Sequence, residues 1–381
     1  MVRYDPLSEE FRRDRVGVYR RLRAEAPAYI DPGGRFAALS RFEDVRAAAL
    51  DWQTYSAVTA EAKILRPIIN DMDPPLHGDR RGNLARAFTP KRVADMEPRL
   101  RAIARSLIDA FAGRGSCDVV GEFAALFPSM VMGELIGIPD ELLAECRSIT
   151  DAVMRIEGPE GNASPVERAD VIFGRLVEEK RARPQNDLIS ALLAVGSDGG
   201  EPLSNDEILG FCYLLLVGGN DTTTNLIANG MELLARHPDQ RAVLAADPSL
   251  LPRAIEEMLR LEPPTQISAR QTTRAVELHG ATIPADTRVL LVWGSANLDE
   301  REFDEPDKFD IRRSAERQLA LGHGAYFCMG AALARMEARV AFEELLRSIP
   351  EFEVVRPPER IRSVWAWGFE ALHVEFRPVE Q

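Results

Sequence analysis

The hydrophobic pattern along the chain is mostly helical. Apolar positions recur at three- and four-residue spacing, which is typical of amphipathic helices. The pattern predicts helices over 8–25, Ser40 to about Leu50, Thr89 to near Gly113, Ser164 to about Ala182, Asn205 to about Arg236, 238–246, 250–262 and 329–347. The segment Ile208–Val217 is apolar on every side. Such a helix belongs in the core of a large protein.

A few shorter runs predict strands. They are a hairpin over 28–39 that turns at Asp31–Gly34, followed by Val276–Leu278, Val289–Val292, Phe352–Val354 and Ala371–Phe376. Capping signals mark several helix starts: Ser40 with Glu43, Thr89 before Pro90, and Ser164 before Pro165. The strands do not alternate with helices, which disfavours a doubly wound sheet. We therefore predict one mainly α domain with a small β portion over residues 1–381.

Composition and charge narrow the class of protein. The chain has 381 residues, of which 45% are apolar and 28% charged, as in soluble globular proteins that can bury a large cofactor. Its net charge of −13 argues against nucleic-acid binding over the whole surface. No apolar signal region follows the N-terminus, and the stretch Phe211–Gly219 is about half the length of a membrane-spanning helix. We expect a cytoplasmic protein that binds neither nucleic acid nor a membrane.

One cysteine stands in an unusual context. The four cysteines form no CxxC pair, which argues against a disulfide framework or a zinc site: Cys117, Cys146, Cys212 and Cys328. Glycines flank Cys328 at the mouth of a predicted helix, where backbone can approach a flat group and a thiolate is favoured. A thiolate presented in this way suits an axial ligand of haem iron. A buried cysteine beside a glycine-rich loop is the alternative that these residues leave open.

Four motifs of the chain resemble motifs of the cytochrome P450 family and occur in the same order as in that family. Residues 321–335 resemble its cysteine-ligand loop, and Gly218–Thr223 resembles the motif in the middle of its long buried helix. Glu257–Arg260 and Asp73–Arg81 match two further motifs. The resemblance implies the cytochrome P450 fold, a single large domain. Haem b (iron protoporphyrin IX) would lie between the long central helix and the cysteine-loop helix.

The resemblance also implies roles for single residues. Cys328 would be the iron ligand, and Gly218 would leave room for the haem ring and dioxygen. Asp221 and Thr222 would relay protons. The propionate-binding residues would be His77, Arg81, Arg270 and Tyr326. Glu257 and Arg260 would form a buried structural ion pair joined by Arg313, with Arg312 as second candidate. Without the resemblance, the motif in the long helix would fit a kink in that helix. The charged residues would fit ordinary surface pairs.

Two positions depart from the family pattern. Leu321 stands where Phe is usual and keeps an apolar contact near the sulfur. Tyr326 stands where His or Arg is common, and a phenol can donate a hydrogen bond to a propionate but adds no positive charge. The candidates for the substrate pocket, each of which could instead be ordinary core packing, are Ile64, Leu65, Ile68, Ile69, Leu215, Thr265, Ile267 and Trp367.

The resemblance implies a haem-thiolate monooxygenase that inserts one atom of dioxygen into a small organic substrate. Electrons would come from a separate ferredoxin or flavodoxin, since the chain leaves no room for a fused reductase. Such a partner could dock on a basic patch formed by Arg80, Arg86, Lys91, Arg92, Arg335 and Arg339. A peroxygenase, a specialised oxidase that forms a ring or aryl bond, and a non-catalytic haem sensor or carrier are the alternatives. The Asp221–Thr222 pair favours dioxygen use over these.

Overall fold

The computed structural model describes residues 2–59, 68–154, 164–195 and 202–378. Contacts between backbone positions divide the chain into two compact units. Unit 1 comprises Met1–Gly78, Arg253–Cys328 and Arg362–Trp367, and unit 2 comprises Asp79–Pro252, Met329–Ile361 and Gly368–Gln381. Each unit is assembled from separated segments. The organisation of residues 1–381 as one domain stays a prediction.

Helices predominate among the described residues. In chain order they are α1 (Glu9–Arg13), α2 (Arg15–Glu25), α3 (Phe42–Leu50), α4 (Leu76–Ala87), α5 (Pro90–Asp95), α6 (Glu97–Ala112), α7 (Leu126–Ile136), α8 (Asp140–Met154), α9 (Pro165–Ala182), α10 (Leu188–Leu193), α11 (Asn205–Arg236), α12 (Pro238–Ala246), α13 (Leu251–Leu261), α14 (Trp293–Ala296) and α15 (Ala331–Ser348). Short helical turns add Ile69–Asp71, Val120–Ala124, Pro248–Leu250 and Gly324–Tyr326.

The strands are short. They are β1 (Ala28–Ile30), β2 (Ala37–Leu39), β3 (Tyr55–Ser56), β4 (Ser116–Asp118), β5 (Ser268–Thr272), β6 (Val276–Leu278), β7 (Ala281–Ile283), β8 (Arg288–Leu291), β9 (Phe352–Val354), β10 (Glu359–Arg360), β11 (Phe369–Ala371) and β12 (His373–Phe376). The predicted C-terminal strand over Ala371–Phe376 is thus interrupted between β11 and β12.

Two of the predicted helices are interrupted. The helix predicted over 8–25 breaks at Asp14, whose side chain accepts a hydrogen bond from the Gly17 N–H and so caps α2. The helix predicted from Thr89 to Gly113 breaks at Met96, between α5 and α6. Helical periodicity continues across both breaks, which is why the sequence pattern does not reveal them.

The predicted cap at Ser40 is wrong. Helix α3 begins at Phe42, and no side chain caps it from its N-cap residue, Arg41. The Ser40 hydroxyl donates to the Pro27 carbonyl instead. The Phe42 N–H donates to Asp299 Oδ2 at 2.9 Å, so a residue distant in sequence satisfies this helix end.

Unit 1 is built around a five-stranded sheet with the order β1-β2-β8-β5-β3. All neighbouring pairs are antiparallel except β2 and β8, which run parallel with Ala38 opposite Leu290. Apolar side chains of this sheet and of α3 contribute to the core of the unit, among them Leu39, Phe42, Val45 and Leu291, and Phe303 packs with them. A separate hairpin pairs β6 with β7.

Unit 2 is helical and centres on α11. A capping box between Ser204 and Glu207 starts this 32-residue helix, as its sequence predicts for a long buried element. Helices α7, α8, α9 and α15 pack against it. Strands β4, β12 and β9 form a small antiparallel sheet. Residues 223–231 of α11 are buried in this unit.

The described residues contain no single helix that is long and apolar enough to cross a membrane. One pair of helical segments, Val120–Ile136 and Asp140–Val153, meets the length and composition criteria only when taken together across a bend of 116°.

A buried ion cluster lies in unit 1 at the end of α13. Both carboxylate oxygens of Glu257 accept from the Arg260 guanidinium, at 2.7 and 2.9 Å, and neither side chain is exposed to solvent. The Arg313 Nε lies 3.1 Å from Glu257 Oε1. The structure thus brings together the three residues assigned to structural ion pairing. Arg312, the second candidate, is exposed.

We predict that Glu257→Ala destabilises the fold severely. The substitution leaves Arg260 buried without its carboxylate, and breaking a buried pair typically costs about 3–5 kcal/mol. Soluble yield and the thermal unfolding midpoint measure the effect. Arg253→Ala, an exposed position on the same helix, is the control and should unfold like the parent. An unchanged midpoint for Glu257→Ala would show that the cluster contributes little.

Candidate active site

A backbone hydrogen bond closes the loop that carries Cys328. The Cys328 N–H donates to the Leu321 carbonyl at 2.8 Å, and Gly322 and Gly324 adopt φ angles of 74° and 69°. Residues with side chains rarely adopt this conformation, and a Cβ at Gly322 would also lie 3.0 Å from the Tyr326 carbonyl oxygen. The two glycines therefore let the chain return tightly and present Cys328 just before α15.

Cys328 differs from the other cysteines in its accessibility. Cys117, Cys146 and Cys212 are buried, whereas Cys328 is partly exposed. Burial raises the pKa of the Cys117 and Cys212 thiols to about 12 and that of Cys146 to about 11. These three thiols stay protonated at neutral pH. Cys328 is the sulfur that an external metal centre could reach.

Two adjacent glycines in α11 serve different purposes. Gly218 is exposed, and a Cβ placed on it would meet no atom within 4 Å. A Cβ on Gly219 would lie 2.6 Å from the sulfur of Met132 on α7. We expected both glycines to make room for a ring and dioxygen. Only Gly218 fits that expectation, because Gly219 admits Met132 of the neighbouring helix.

Thr222 lies one helical turn beyond Gly218, on the same face of α11. Its hydroxyl donates to the Gly218 carbonyl at 2.6 Å. Thr224 makes the equivalent bond to the Asn220 carbonyl at 3.0 Å, on a buried face. Asp221, next to Thr222, is half-buried. The polar pair therefore lies next to the exposed Gly218 position of this helix.

The sequence analysis missed a buried acid, Glu337 of α15, in the same unit. Its side chain is fully buried, and burial raises its pKa well above the usual value, while a hydrogen bond from Thr223 acts in the opposite direction. Burial therefore disfavours the charged form of this carboxyl. Helical spacing predicts that Glu337 is buried, since it falls among the buried positions Leu333, Met336 and Val340.

In unit 1, a cluster of cationic and aromatic side chains surrounds Tyr326. The guanidinium carbon of Arg270 lies 4.5 Å from the Tyr326 ring centroid, and the His77 ring lies 4.7 Å from it. Arg270 is only 6% exposed, and its Nε is buried without a hydrogen-bond partner. Desolvation lowers its pKa. A buried guanidinium with an unsatisfied donor fits a site for an anion.

The Tyr326 hydroxyl has an acceptor within the chain. It donates to Asp73 Oδ1 at 2.7 Å, and the Met72 carbonyl lies at 3.1 Å. Burial, and then this bond to Asp73, raise the Tyr326 pKa. We expected the hydroxyl to donate to a haem propionate, and the structure gives it Asp73 instead. An acidic residue before two prolines indicates only a turn, so the sequence does not predict that Asp73 accepts this hydrogen bond.

Two predicted propionate ligands lie on α4. His77 is buried near the start of this helix, and Arg81 is half-buried one helical turn further along. The four-residue spacing places both on one face of the helix, as their sequence positions predict.

The candidates for the substrate pocket have mixed environments. Ile64 and Leu65 lie outside the described residues. Ile69 and Ile267 are buried, while Ile68, Leu215 and Thr265 are half-buried. The Trp367 indole donates to Glu262 Oε2 at 2.6 Å and packs against Arg15 and Phe11. These contacts give Trp367 a packing role, and the lining of the pocket stays a prediction.

Comparison with known proteins identifies the family. The sequence profile described as Cytochrome P450 matches residues 169–362. The chain is 40% identical to "Putative cytochrome P450 123" of Mycobacterium tuberculosis, over 92% of this chain and 90% of that protein. The chain belongs to the cytochrome P450 family. It is 36% identical to the "Cytochrome P450 monooxygenase PikC" of Streptomyces venezuelae, over 97% of this chain and 93% of that one.

The fold agrees with this membership. The structure of the cytochrome P450 CYP109Q5 from Chondromyces apiculatus is similar at a TM-score of 0.91 and 34% identity, covering 99% of both chains. The predicted cytochrome P450 fold is therefore confirmed. The chain is a member of a family of haem-binding monooxygenases.

The residues present fit the haem of a cytochrome P450. Cys328 offers an accessible sulfur, Gly218 offers an uncovered stretch of core helix, and Arg270 has a buried donor that needs an anion. Haem is a flat group with two carboxylates, and in this family a cysteine thiolate holds its iron. Each of the three observations matches one part of that group.

We predict opposite consequences for alanine at the two glycines. Gly219→Ala should lower the thermal unfolding midpoint, because buried Met132 has to move and overpacking typically costs about 1–3 kcal/mol. Gly218→Ala meets no atom of the chain and gains up to ~1 kcal/mol of helix propensity. It should instead change the haem absorption spectrum. A lower midpoint with an unchanged spectrum for Gly218→Ala would contradict its assignment.

Proposed function

We propose that the chain inserts one atom of dioxygen into a small, largely apolar organic substrate and releases the other atom as water. The reaction consumes two electrons and two protons, and a separate ferredoxin or flavodoxin supplies the electrons. Membership of a monooxygenase family supports the reaction class. The observation that carries the proposal is the accessible Cys328 thiol in a glycine-shaped loop, in contrast to three buried thiols.

The protein residues would bind, orient and move protons. Haem supplies the chemistry of dioxygen activation when it is bound. Cys328 would hold it through sulfur, and Arg270, His77 and Arg81 would neutralise its carboxylates. The Thr222 hydroxyl donates to Gly218, which leaves its oxygen lone pairs able to accept a proton from the Asp221 side. The apolar remainder of α11 would keep bulk water from this path.

The predicted docking patch for the electron donor is smaller than its sequence suggests. Arg80 pairs with Glu207, and Arg339 pairs with Glu97 and Glu343. Arg92 donates to backbone carbonyls of Ala87 and Asp187. Arg335 is half-buried. Within the predicted patch, Arg86 and Lys91 therefore carry most of the exposed positive charge that an acidic partner could contact.

A peroxygenase and a specialised oxidase are the competing functions within the family. Both would react at the same cysteine-bound haem, so Cys328 does not separate them from a monooxygenase. The Asp221–Thr222 pair argues against the peroxygenase, because a peroxide-driven enzyme needs no delivery of protons to dioxygen. Turnover with hydrogen peroxide, compared with turnover on reductant and ferredoxin, separates a peroxygenase from the two dioxygen-dependent enzymes. The product, with or without an added oxygen atom, separates a monooxygenase from an oxidase.

We predict that Cys328→Ala abolishes thiolate ligation. The reduced parent protein with carbon monoxide should show the strongly red-shifted Soret band of a thiolate haem, and the variant should lose it. Cys117→Ala removes a buried thiol and should keep the band. Persistence of the band in Cys328→Ala would refute the assignment of the ligand.

We predict that Thr222→Ala uncouples electron use from product formation. Loss of the hydroxyl beside the open face should release hydrogen peroxide at the expense of product, while haem content stays normal. Thr224→Ala removes the equivalent hydroxyl from a buried face and is a matched control. Product and peroxide per electron pair are the measurements. Equal coupling in both variants would show that Thr222 has no part in proton delivery.

A further inference from the structure

Tyr326 stands where the cytochrome P450 family usually has a basic residue, and its hydroxyl is held within the chain. Asp73 Oδ1 accepts from it at 2.7 Å. Asp73 is fixed in turn by the Ala57 N–H at 2.8 Å and by the Ser56 hydroxyl. The one phenolic proton therefore has a charged acceptor in unit 1 that is itself anchored by two other groups.

The ring of Tyr326 contacts Arg270 and His77. It lies 4.5 Å from the Arg270 guanidinium carbon and 4.7 Å from the His77 ring, to which it is tilted by 53°. Arg270 donates to the Ala269 carbonyl but leaves its buried Nε without an acceptor. The aromatic face is therefore one of the groups that set the plane of this guanidinium, beside the carboxylates of Asp71 and Asp73.

We propose that Tyr326 is a positioning residue: Asp73 anchors its hydroxyl, and its ring then orients Arg270 and His77 toward the haem propionates. The tyrosine thus replaces the usual basic side chain by ordering two neighbouring side chains instead of adding a positive charge. This inference rests on the proposed assignment of Arg270 and His77 to the propionates. It differs from a direct bond between the hydroxyl and a propionate, because the effect of the hydroxyl then depends on Asp73.

A double-mutant cycle on the holoenzyme tests this dependence. Tyr326→Phe, Asp73→Ala and the double variant are compared by the rate of haem transfer to apomyoglobin and by the reduction potential of the haem iron. With Asp73 present, Tyr326→Phe should speed haem loss about fivefold to tenfold, as expected for one bond to a charged acceptor, and should shift the potential. In the Asp73→Ala background, it should change neither quantity appreciably. Equal effects in both backgrounds would overturn the proposal in favour of a direct propionate bond.

Controls separate positioning from general stability. Ser56→Ala removes one of the bonds that fix Asp73 and leaves the Tyr326 hydroxyl in place, so it should speed haem loss less than Tyr326→Phe does. A Tyr326→Phe protein with a lower unfolding midpoint but an unchanged potential would make the role structural only and would overturn the proposal. If Asp73→Ala yields no haem-loaded protein, Asp73→Asn replaces it. That variant keeps an acceptor oxygen without the charge, so Tyr326→Phe should have a smaller effect there than beside Asp73, and an undiminished effect would refute the anchor.

The proposed function can fail separately from this inference. A parent protein whose reduced carbon monoxide complex lacks the thiolate band would refute the cysteine ligand. A parent with that band, but with additive effects in the cycle, would refute only the role of Tyr326.

Discussion

The ion pair between Glu257 and Arg260 is the interaction on which the segment before Cys328 depends. Between Ala296 and Ala331 the chain has no α-helix or strand, so regular pairing cannot satisfy its backbone groups. Arg260, held by Glu257, donates to the carbonyls of Asn297, Pro306 and Lys308. Glu257 itself accepts from the Asp310 N–H at 3.1 Å. One ion pair at the end of α13 therefore fixes the long irregular segment that ends at Cys328.

Two buried charged clusters in unit 1 differ in whether all their hydrogen-bond donors have acceptors. Glu257 and Arg260 satisfy each other and the backbone around them, which is what a structural ion pair requires. Arg270 is almost as deeply buried, yet keeps one donor without an acceptor. Natural folds rarely leave a buried donor in this state unless a ligand uses it. The contrast supports the proposal that Arg270 serves a bound group, whereas Arg260 holds the fold.

In unit 2, the same distinction appears along α11. Most of this helix is closed by neighbouring helices, and Gly219 lets Met132 approach closely. One turn, around Gly218 and Thr222, stays partly uncovered. Glu337 of α15 is buried beside Thr223, and burial raises its pKa. A close helix contact and a local opening are thus built into adjacent positions of one helix.

The sequence alone determined much of this protein. Helical periodicity and capping residues located α9, α11 and α12, because these signals are local. The spacing of four motifs indicated the family, and the glycines around Cys328 indicated the candidate ligand, since a turn with φ above zero favours glycine.

Only the tertiary structure decided which partner each polar group takes. Asp299 satisfies the start of α3 in place of Ser40, Met132 explains Gly219, and Asp73 accepts the proton of Tyr326. Each of these contacts joins residues far apart in the chain. A sequence pattern reports the preferences of neighbours within a few residues, whereas the acceptor of a buried donor is chosen by packing in three dimensions.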